Sequence, residues 1–127
     1  MTPQKNIMIL VVDDDESMIE LLEECLKKEG YTVTTATDGL KGVAAAEKAT
    51  PDLIILDLLM PGMHGFDVCQ KLRKESDFKD TKILISSGKG YAVDIKAAKR
   101  LGADDYIVKP YDISALLDKV SALLEKS

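Results

Sequence analysis

The sequence predicts an α/β fold: five parallel strands in one doubly wound sheet, with five helices covering its two faces. Short apolar runs alternate strictly with amphipathic segments along the chain, which is typical of α/β folds. The runs are apolar at almost every position, as in "LIIL" at 53–56, and this pattern indicates strands buried on both faces.

Five runs have the length and composition of buried strands. In order along the chain they are "IMILVV" (7–12), "YTVTTA" (31–36), "DLIILD" (52–57), "KILIS" (82–86) and "DYIVK" (105–109).

The segments between and after the strands have the pattern of amphipathic helices. The last is the clearest, because its apolar residues fall on one stripe and Asp112 is placed to cap its amino end. Gly30 and Gly102 follow two other helical patterns and can adopt the left-handed conformation that ends a helix. The predicted helices span 16–29, 39–49, 65–75, 92–101 and 113–125.

Right-handed crossovers favour the strand order 2-1-3-4-5 for such a sheet. Strands 1 and 3 are then neighbours at the topological switch point, and ligands bind beyond the carboxyl ends of the strands. Helices 1 and 5 cover one face and helices 2, 3 and 4 the other.

Length, composition and charge restrict the possible functions. The chain has 127 residues, of which 46% are hydrophobic and 31% charged, so we predict one soluble domain over 1–127. No apolar run approaches the roughly 20 residues of a membrane span, and no signal peptide is visible. A net charge of −5 argues against a nucleic-acid surface. Cys25 and Cys69 lack metal or redox spacing and are predicted to be small core residues in a reducing cytoplasm.

Acidic side chains end two neighbouring strands of the predicted sheet. Asp13 and Asp14, followed by Asp15, come directly after strand 1, and Asp57 ends strand 3. Like charges so close together repel, which indicates that a cation is expected there. Carboxylate oxygens are the ligands that Mg²⁺ prefers, so we predict a Mg²⁺ site at this edge.

The ends of strands 4 and 5 add groups that suit a phosphoryl ligand. Ser86 and Ser87 supply hydroxyls beside Gly88, and Lys109, followed by Pro110, supplies an ammonium. Alone, each of these residues is more often a turn, cap or core residue. Their joint placement at one edge predicts a phosphoryl site in which one carboxylate is the nucleophile.

Four blocks of sequence together resemble the receiver domain of bacterial two-component response regulators, and in particular single-domain regulators of the chemotaxis type. The blocks are "ILVVDDDES", "PDLIILDLLMPGMHG", "ISSGKG" and "GADDYIVKPYD", and their order and spacing cover nearly the whole chain. The resemblance implies a flavodoxin-like fold and a cytoplasmic switch that is phosphorylated on an aspartate. It also implies a protein that catalyses its own phosphorylation and dephosphorylation but is not an enzyme in the usual sense.

The resemblance assigns roles to residues of the site. Asp57 matches the phosphoacceptor, and Asp13 and Asp14 match the acidic pair that binds Mg²⁺ together with Asp57. The backbone carbonyl of Leu59 would complete the metal ligands, and Lys109 matches the lysine that contacts the phosphoryl group.

The resemblance also implies how the switch works and what it meets. Ser87, or Ser86 if strand 4 ends one residue earlier, matches the switch hydroxyl, and Tyr106 matches the switch aromatic. A cis peptide is implied between Lys109 and Pro110. The partners would be a sensor histidine kinase or phosphotransfer protein and a downstream target at the face of helix 4, strand 5 and helix 5. Neither direct nucleic-acid binding nor membrane insertion is expected.

One departure and two alternatives bear on this hypothesis. His64 stands where receivers commonly have an acidic residue, and we interpret it as a tolerated turn residue. A phosphatase of the haloacid dehalogenase type would carry its aspartyl nucleophile after strand 1 and would need a cap domain. A flavodoxin-like FMN binder would need hydroxyls and glycine after strand 1, where three aspartates would repel the phosphate.

Overall fold

The computed structural model describes residues 6–58, 60, 64–88 and 92–125, which form a single five-stranded sheet flanked by helices. The strands are β1 (Met8–Val12), β2 (Thr32–Ala36), β3 (Leu53–Leu56), β4 (Lys82–Ser87) and β5 (Asp105–Val108). The helices are α1 (Glu16–Lys28), α2 (Gly39–Ala49), α3 (Gly65–Arg73), α4 (Ala92–Arg100) and α5 (Ile113–Glu125), with a short 3-10 helix at Ser76–Phe78.

The sheet has the predicted order, β2-β1-β3-β4-β5, and every neighbouring pair is parallel. The fold class is therefore confirmed. None of the described helices combines the length and apolar character that crossing a membrane requires.

The sheet separates two apolar cores. The core on the α2, α3 and α4 side includes Ile83 and Ile85 of β4, whereas Leu84 between them packs on the α1 and α5 side. Successive side chains of a strand point to opposite faces, so β4 contributes to both cores. The predicted distribution of helices over the two faces is confirmed. Cys69 is buried in the first core and Cys25 is half-buried on α1, and both are free thiols.

Side-chain caps and glycines fix the ends of several helices. Asp15 caps α1 by accepting hydrogen bonds from the amides of Ser17 and Met18. Gly30 and Gly102 have φ angles of +95° and +108°, as expected for residues that end helices in the left-handed conformation.

The bounds of α2 and α5 match the predictions, and those of the other elements differ by one or two residues. The carbonyl of Asp112 accepts hydrogen bonds from the amides of Ala115 and Leu116, so it starts the hydrogen bonding of α5 through its backbone. The third helix ends at Arg73 rather than at residue 75, because the amides of Lys74 and Glu75 donate to carbonyls only three residues earlier.

Arg73 joins the end of α3 to the turn between α4 and β5. Its Nε donates to the Gly102 carbonyl at 2.8 Å, and its Nη1 donates to the Phe78 carbonyl at 2.7 Å. Its Nη2 lies 2.7 Å from an Asp104 oxygen that also accepts from the Ile83 amide. These contacts lie at the amino ends of β4 and β5, away from the acidic edge of the sheet.

Candidate functional site

Three carboxylates meet at the carboxyl ends of β1 and β3. Val12 pairs with Leu56 in the parallel register, so the next residues, Asp13 and Asp57, leave the sheet side by side. Each of Asp13, Asp14 and Asp57 places an oxygen within 4.8 Å of the others. Asp13 and Asp57 are only 2% and 6% exposed, whereas Asp14 faces solvent.

Backbone hydrogen bonds continue past the strands and hold these carboxylates in place. The Asp57 amide donates to the Val12 carbonyl at 3.0 Å, and the Asp13 amide donates to the Ala36 carbonyl at 3.1 Å. Asp13 Oδ1 accepts from the Asp15 amide at 2.9 Å. The sheet itself therefore fixes the separation of the acids.

Lys109 brings an ammonium into the acidic cluster. Its Nζ is 2.7 Å from Asp13 Oδ2 and 3.8 Å from Asp57 Oδ2. Burial lowers the pKa of Lys109, but the hydrogen bond to Asp13 and the charges of Asp13 and Asp57 outweigh it, so the pKa is raised. Lys109 is therefore charged. The peptide bond between Lys109 and Pro110 is cis, as the resemblance implies.

The donor set fits a hard divalent cation. The three carboxylates carry three negative charges, of which the Lys109 ammonium offsets only one. Oxygen-rich clusters with excess negative charge suit Mg²⁺, and two of these carboxylates are already desolvated by burial. Leu59, the fourth predicted ligand, lies outside the described residues.

A glycine allows α3 to begin directly against the Asp57 strand end. The Gly65 amide donates to the Leu58 carbonyl at 3.0 Å. A Cβ at this position would lie 2.3 Å from the Asp57 carbonyl oxygen. A larger residue would therefore push the helix away from the site. His64 before it is exposed and caps α3 without a side-chain hydrogen bond.

The two serines at the end of β4 are both buried but belong to opposite faces. Ser87 follows the alternation of Ile83 and Ile85 and so lies on the α2, α3 and α4 side, where Tyr106 is also buried. Ser86 follows Leu84 on the α1 and α5 side. Ser87 and Tyr106 thus share a face, which Ser86 does not.

Tyr111 is a neighbour of the site that the sequence interpretation missed. Its hydroxyl accepts a hydrogen bond from Ser86. Burial raises the pKa of Tyr111 and outweighs the opposing effects of the Ser86 hydrogen bond and the Lys109 charge, while the charges of Asp13 and Asp57 raise it further. Its position two residues after Lys109, at the same edge of the sheet, is the feature of the sequence that indicates a place near the site. The sequence interpretation had no reason to prefer a packing role or a polar role for this ring.

Comparison with known proteins agrees with this geometry. Residues 9–121 match the family model described as the response regulator receiver domain. The DNA-binding dual master transcriptional regulator RpaA of Synechocystis is 41% identical over 94% of this chain and 49% of its own length. The DNA-binding response regulator MtrA of Mycobacterium tuberculosis is 40% identical over 94% of this chain and 51% of its own.

A solved structure resembles the whole fold. The chemotaxis protein CheY4 of Vibrio cholerae superposes with a TM-score of 0.89 at 34% identity, covering 94% of this chain and 99% of that one. By contrast, this chain spans about half the length of the curated relatives it matches. The family match and the matching architecture lead to one conclusion: the chain belongs to the receiver domains of two-component response regulators.

Proposed function

We propose that this receiver domain is a phosphorylation-activated switch in which Asp57 accepts a phosphoryl group in a Mg²⁺-dependent reaction. The observation that carries the proposal is the cluster of Asp13, Asp14 and Asp57, whose carboxylate oxygens lie within 4.8 Å of one another. The Lys109 ammonium contacts this cluster at Asp13. The donor would be the phosphohistidine of a sensor histidine kinase or of a phosphotransfer protein.

The reaction is an in-line transfer to a carboxylate. An Asp57 oxygen attacks the phosphorus, the bond from phosphorus to the donor imidazole nitrogen breaks, and the imidazole leaves with the electron pair. Asp13, Asp14, Asp57 and the Leu59 carbonyl would hold Mg²⁺, which supplies positive charge beside the phosphoryl oxygens when bound. Lys109, already 3.8 Å from Asp57, would contact one of those oxygens as it leaves Asp13.

The response would follow from a new hydrogen bond. The Ser87 hydroxyl would donate to a phosphoryl oxygen and draw the end of β4 toward Asp57. Tyr106, on the same face as Ser87, would turn into the space that this movement opens. One hydrogen bond to a charged acceptor contributes about 1.5–3 kcal/mol, enough to shift the balance between two packings of the α4, β5 and α5 face.

The domain would therefore act as a signalling component and not as a turnover enzyme. It would catalyse its own phosphorylation and dephosphorylation and present the α4, β5 and α5 face to a target protein or effector domain. The names of RpaA and MtrA describe DNA binding by proteins about twice this length. The net charge of −5 favours protein contacts for this domain over direct contacts to nucleic acid or membrane, within the cytoplasm.

Phosphorylation by acetyl phosphate tests the acceptor assignment. We expect wild-type protein with Mg²⁺ to gain the mass of one phosphoryl group, and Asp57→Asn to gain none, because an amide is not a nucleophile. Asp80→Asn is a matched control, since Asp80 is exposed at the other end of the sheet. Acid-labile label retained on Asp57→Asn would contradict the assignment of the acceptor. Phosphorylation of the wild-type protein that persists after Mg²⁺ is chelated would contradict the role of the metal.

A further inference from the structure

A buried hydroxyl contact lies beneath the site, on the α1 and α5 side of the sheet. The Ser86 side chain is 1% exposed, and its Oγ donates to the Tyr111 hydroxyl at 3.4 Å. The Tyr111 hydroxyl in turn donates to Met18 Sδ at 3.8 Å. Tyr111 and Met18 are both half-buried against the same apolar core. One phenol oxygen thus contacts two other parts of the chain.

Each of these three residues belongs to a different segment that carries the site. Met18 is in the first turn of α1, directly after the loop that holds Asp13 and Asp14. Ser86 is the neighbour of Ser87 at the end of β4, and Tyr111 comes two residues after Lys109. The segments are separated by up to 93 residues in sequence, so the phenol forms a cross-link between distant loops.

A second contact fixes the same pair of segments from the backbone. The Lys109 amide donates to the Ser87 carbonyl at 2.8 Å. The stretch from Lys109 to Tyr111 is therefore attached to two successive residues of β4, once through the backbone and once through side-chain hydroxyls. The two attachments couple the position of Lys109 to that of the end of β4.

We propose that Tyr111 is a positioning residue whose hydroxyl holds the three site-bearing segments in register during phosphoryl transfer. This inference rests on the proposed function. The Ser86 to Tyr111 separation of 3.4 Å is longer than the usual hydroxyl contact of about 2.7–2.8 Å, so the contact can shorten as the segments close. The contact would then stabilise the state in which the phosphoryl group is transferred more than it stabilises the resting fold.

Tyr111→Phe removes the hydroxyl and keeps the ring, and Ser86→Ala removes the other member of the pair. We expect the phosphorylation rate at saturating acetyl phosphate and Mg²⁺ to fall about three- to tenfold in Tyr111→Phe, as for the loss of one or two neutral hydrogen bonds. The half-saturating acetyl phosphate concentration and the melting temperature should stay close to those of wild type. Ser86→Ala should give a similar or smaller fall.

The double variant separates a shared contact from two independent effects. If the hydroxyls act on each other, Tyr111→Phe with Ser86→Ala is no slower than Tyr111→Phe alone. Tyr31→Phe is the matched control, because Tyr31 packs against the same core but lies next to the start of β2, away from the site. It should be phosphorylated at the wild-type rate.

Three results would overturn the inference. They are a wild-type rate in Tyr111→Phe, additive losses in the double variant, or a loss in Tyr31→Phe equal to that in Tyr111→Phe. In all three the wild-type protein is still phosphorylated, so the proposed function stands. Absence of phosphorylation in wild type would refute the proposed function and this inference with it.

Discussion

Lys109 neutralises part of the acidic cluster, because its Nζ lies 2.7 Å from Asp13 Oδ2 while its side chain is 20% exposed. A cation bound by the three carboxylates would have to share Asp13 with this ammonium. The Lys109 ammonium and the bound cation would compete for the Asp13 carboxylate. When one of them is present, the other adds less to the stability of the fold.

We therefore expect Lys109→Met to have opposite effects on stability and on Mg²⁺ affinity. Without metal, the buried Asp13 loses its partner, and the free energy of unfolding should fall by about 3 to 5 kcal/mol. Mg²⁺ should bind more tightly, since the competing charge is gone. Urea melts in chelator and Mg²⁺ titrations measure the two effects.

Lys119→Met is the control for Lys109→Met, because Lys119 forms its ion pair with Asp105 on β5 and α5, outside the cluster. It should lose little stability and leave Mg²⁺ affinity unchanged. Equal losses of stability in the presence and absence of Mg²⁺ for Lys109→Met would show that the lysine does not compete with the metal.

The thiol of Cys69 makes stability depend on alkaline pH. Burial raises its pKa from 9.0 to about 11, against the smaller opposing effect of Arg73. The thiol form is thus favoured by folding, and this contribution is complete below pH 9 and is lost as the pH rises toward about 11. Replacing Cys69 by Ala removes this dependence.

Between pH 8 and 10.5, roughly, the free energy of unfolding should decline less steeply in Cys69→Ala than in wild type. Because other groups titrate in the same range, the informative quantity is the difference between the two proteins at each pH. Cys25→Ala, on the opposite side of the sheet, provides the comparison for a thiol outside this core. Parallel curves for wild type and Cys69→Ala would refute the prediction.

At the scale of elements, Arg73 connects α3, the Ser76–Phe78 turn, the α4–β5 turn and the start of β4. Its planar guanidinium donates from three separate nitrogens to two backbone carbonyls and a carboxylate, whereas the donors of an ammonium all lie on one nitrogen. Removal of this side chain takes away a hydrogen-bond donor from each of these partly buried acceptors.

Arg73→Ala should lower the free energy of unfolding by about 2 to 4 kcal/mol, and Arg73→Lys should recover only part of the loss. Chemical denaturation measures both. Arg100→Ala is the control, since Arg100 is exposed on α4. A loss in Arg73→Ala no greater than in Arg100→Ala would mean that the connection contributes nothing to stability.

The sequence predicted elements more reliably than it predicted contacts between side chains. Strict alternation of apolar runs and helices predicted the sheet order, and this order places Asp13 beside Asp57 and puts Lys109 at the same edge, from which its long side chain reaches both carboxylates. The convergence was predictable because it depends on backbone direction and strand ends. By contrast, the bonds of Arg73 and Tyr111 join residues about 30 and 90 positions apart through side-chain geometry, which no local pattern encodes.

At the scale of the whole molecule, we expect repulsion between the carboxylates of Asp13, Asp14 and Asp57 to lower the stability of the folded state. Asp13 and Asp57 are buried in the folded chain and solvated in the unfolded one, so a ligand that neutralises them favours the folded state. A metal that binds only the folded state adds about 2.7 kcal/mol to stability at one hundred times its dissociation constant.

Asp14→Asn tests this coupling between the cluster and the whole fold. We expect the variant to melt at a higher temperature than wild type in chelator, because one repelling charge is gone, and to gain less from added Mg²⁺. Thermal melts over a Mg²⁺ series measure both quantities. A variant less stable than wild type under both conditions would mean that Asp14 stabilises the loop independently of the metal.

The connection made by Arg73 also restricts how α4 can move as a body. The turn that follows α4 is held at Gly102, at the end of the sheet opposite to Asp57, while the start of the helix lies on the side of the site. A nine-residue helix is about 13 Å long, so with one end held, a shift of about 2 Å at its start is a tilt of roughly 9°. A displacement at the site, as the proposed switch requires, would then reach the outer surface as a rotation of α4 about its held end. The first turn of α4 would move farthest and its last turn least, so a partner that reads this surface would meet a change of helix angle.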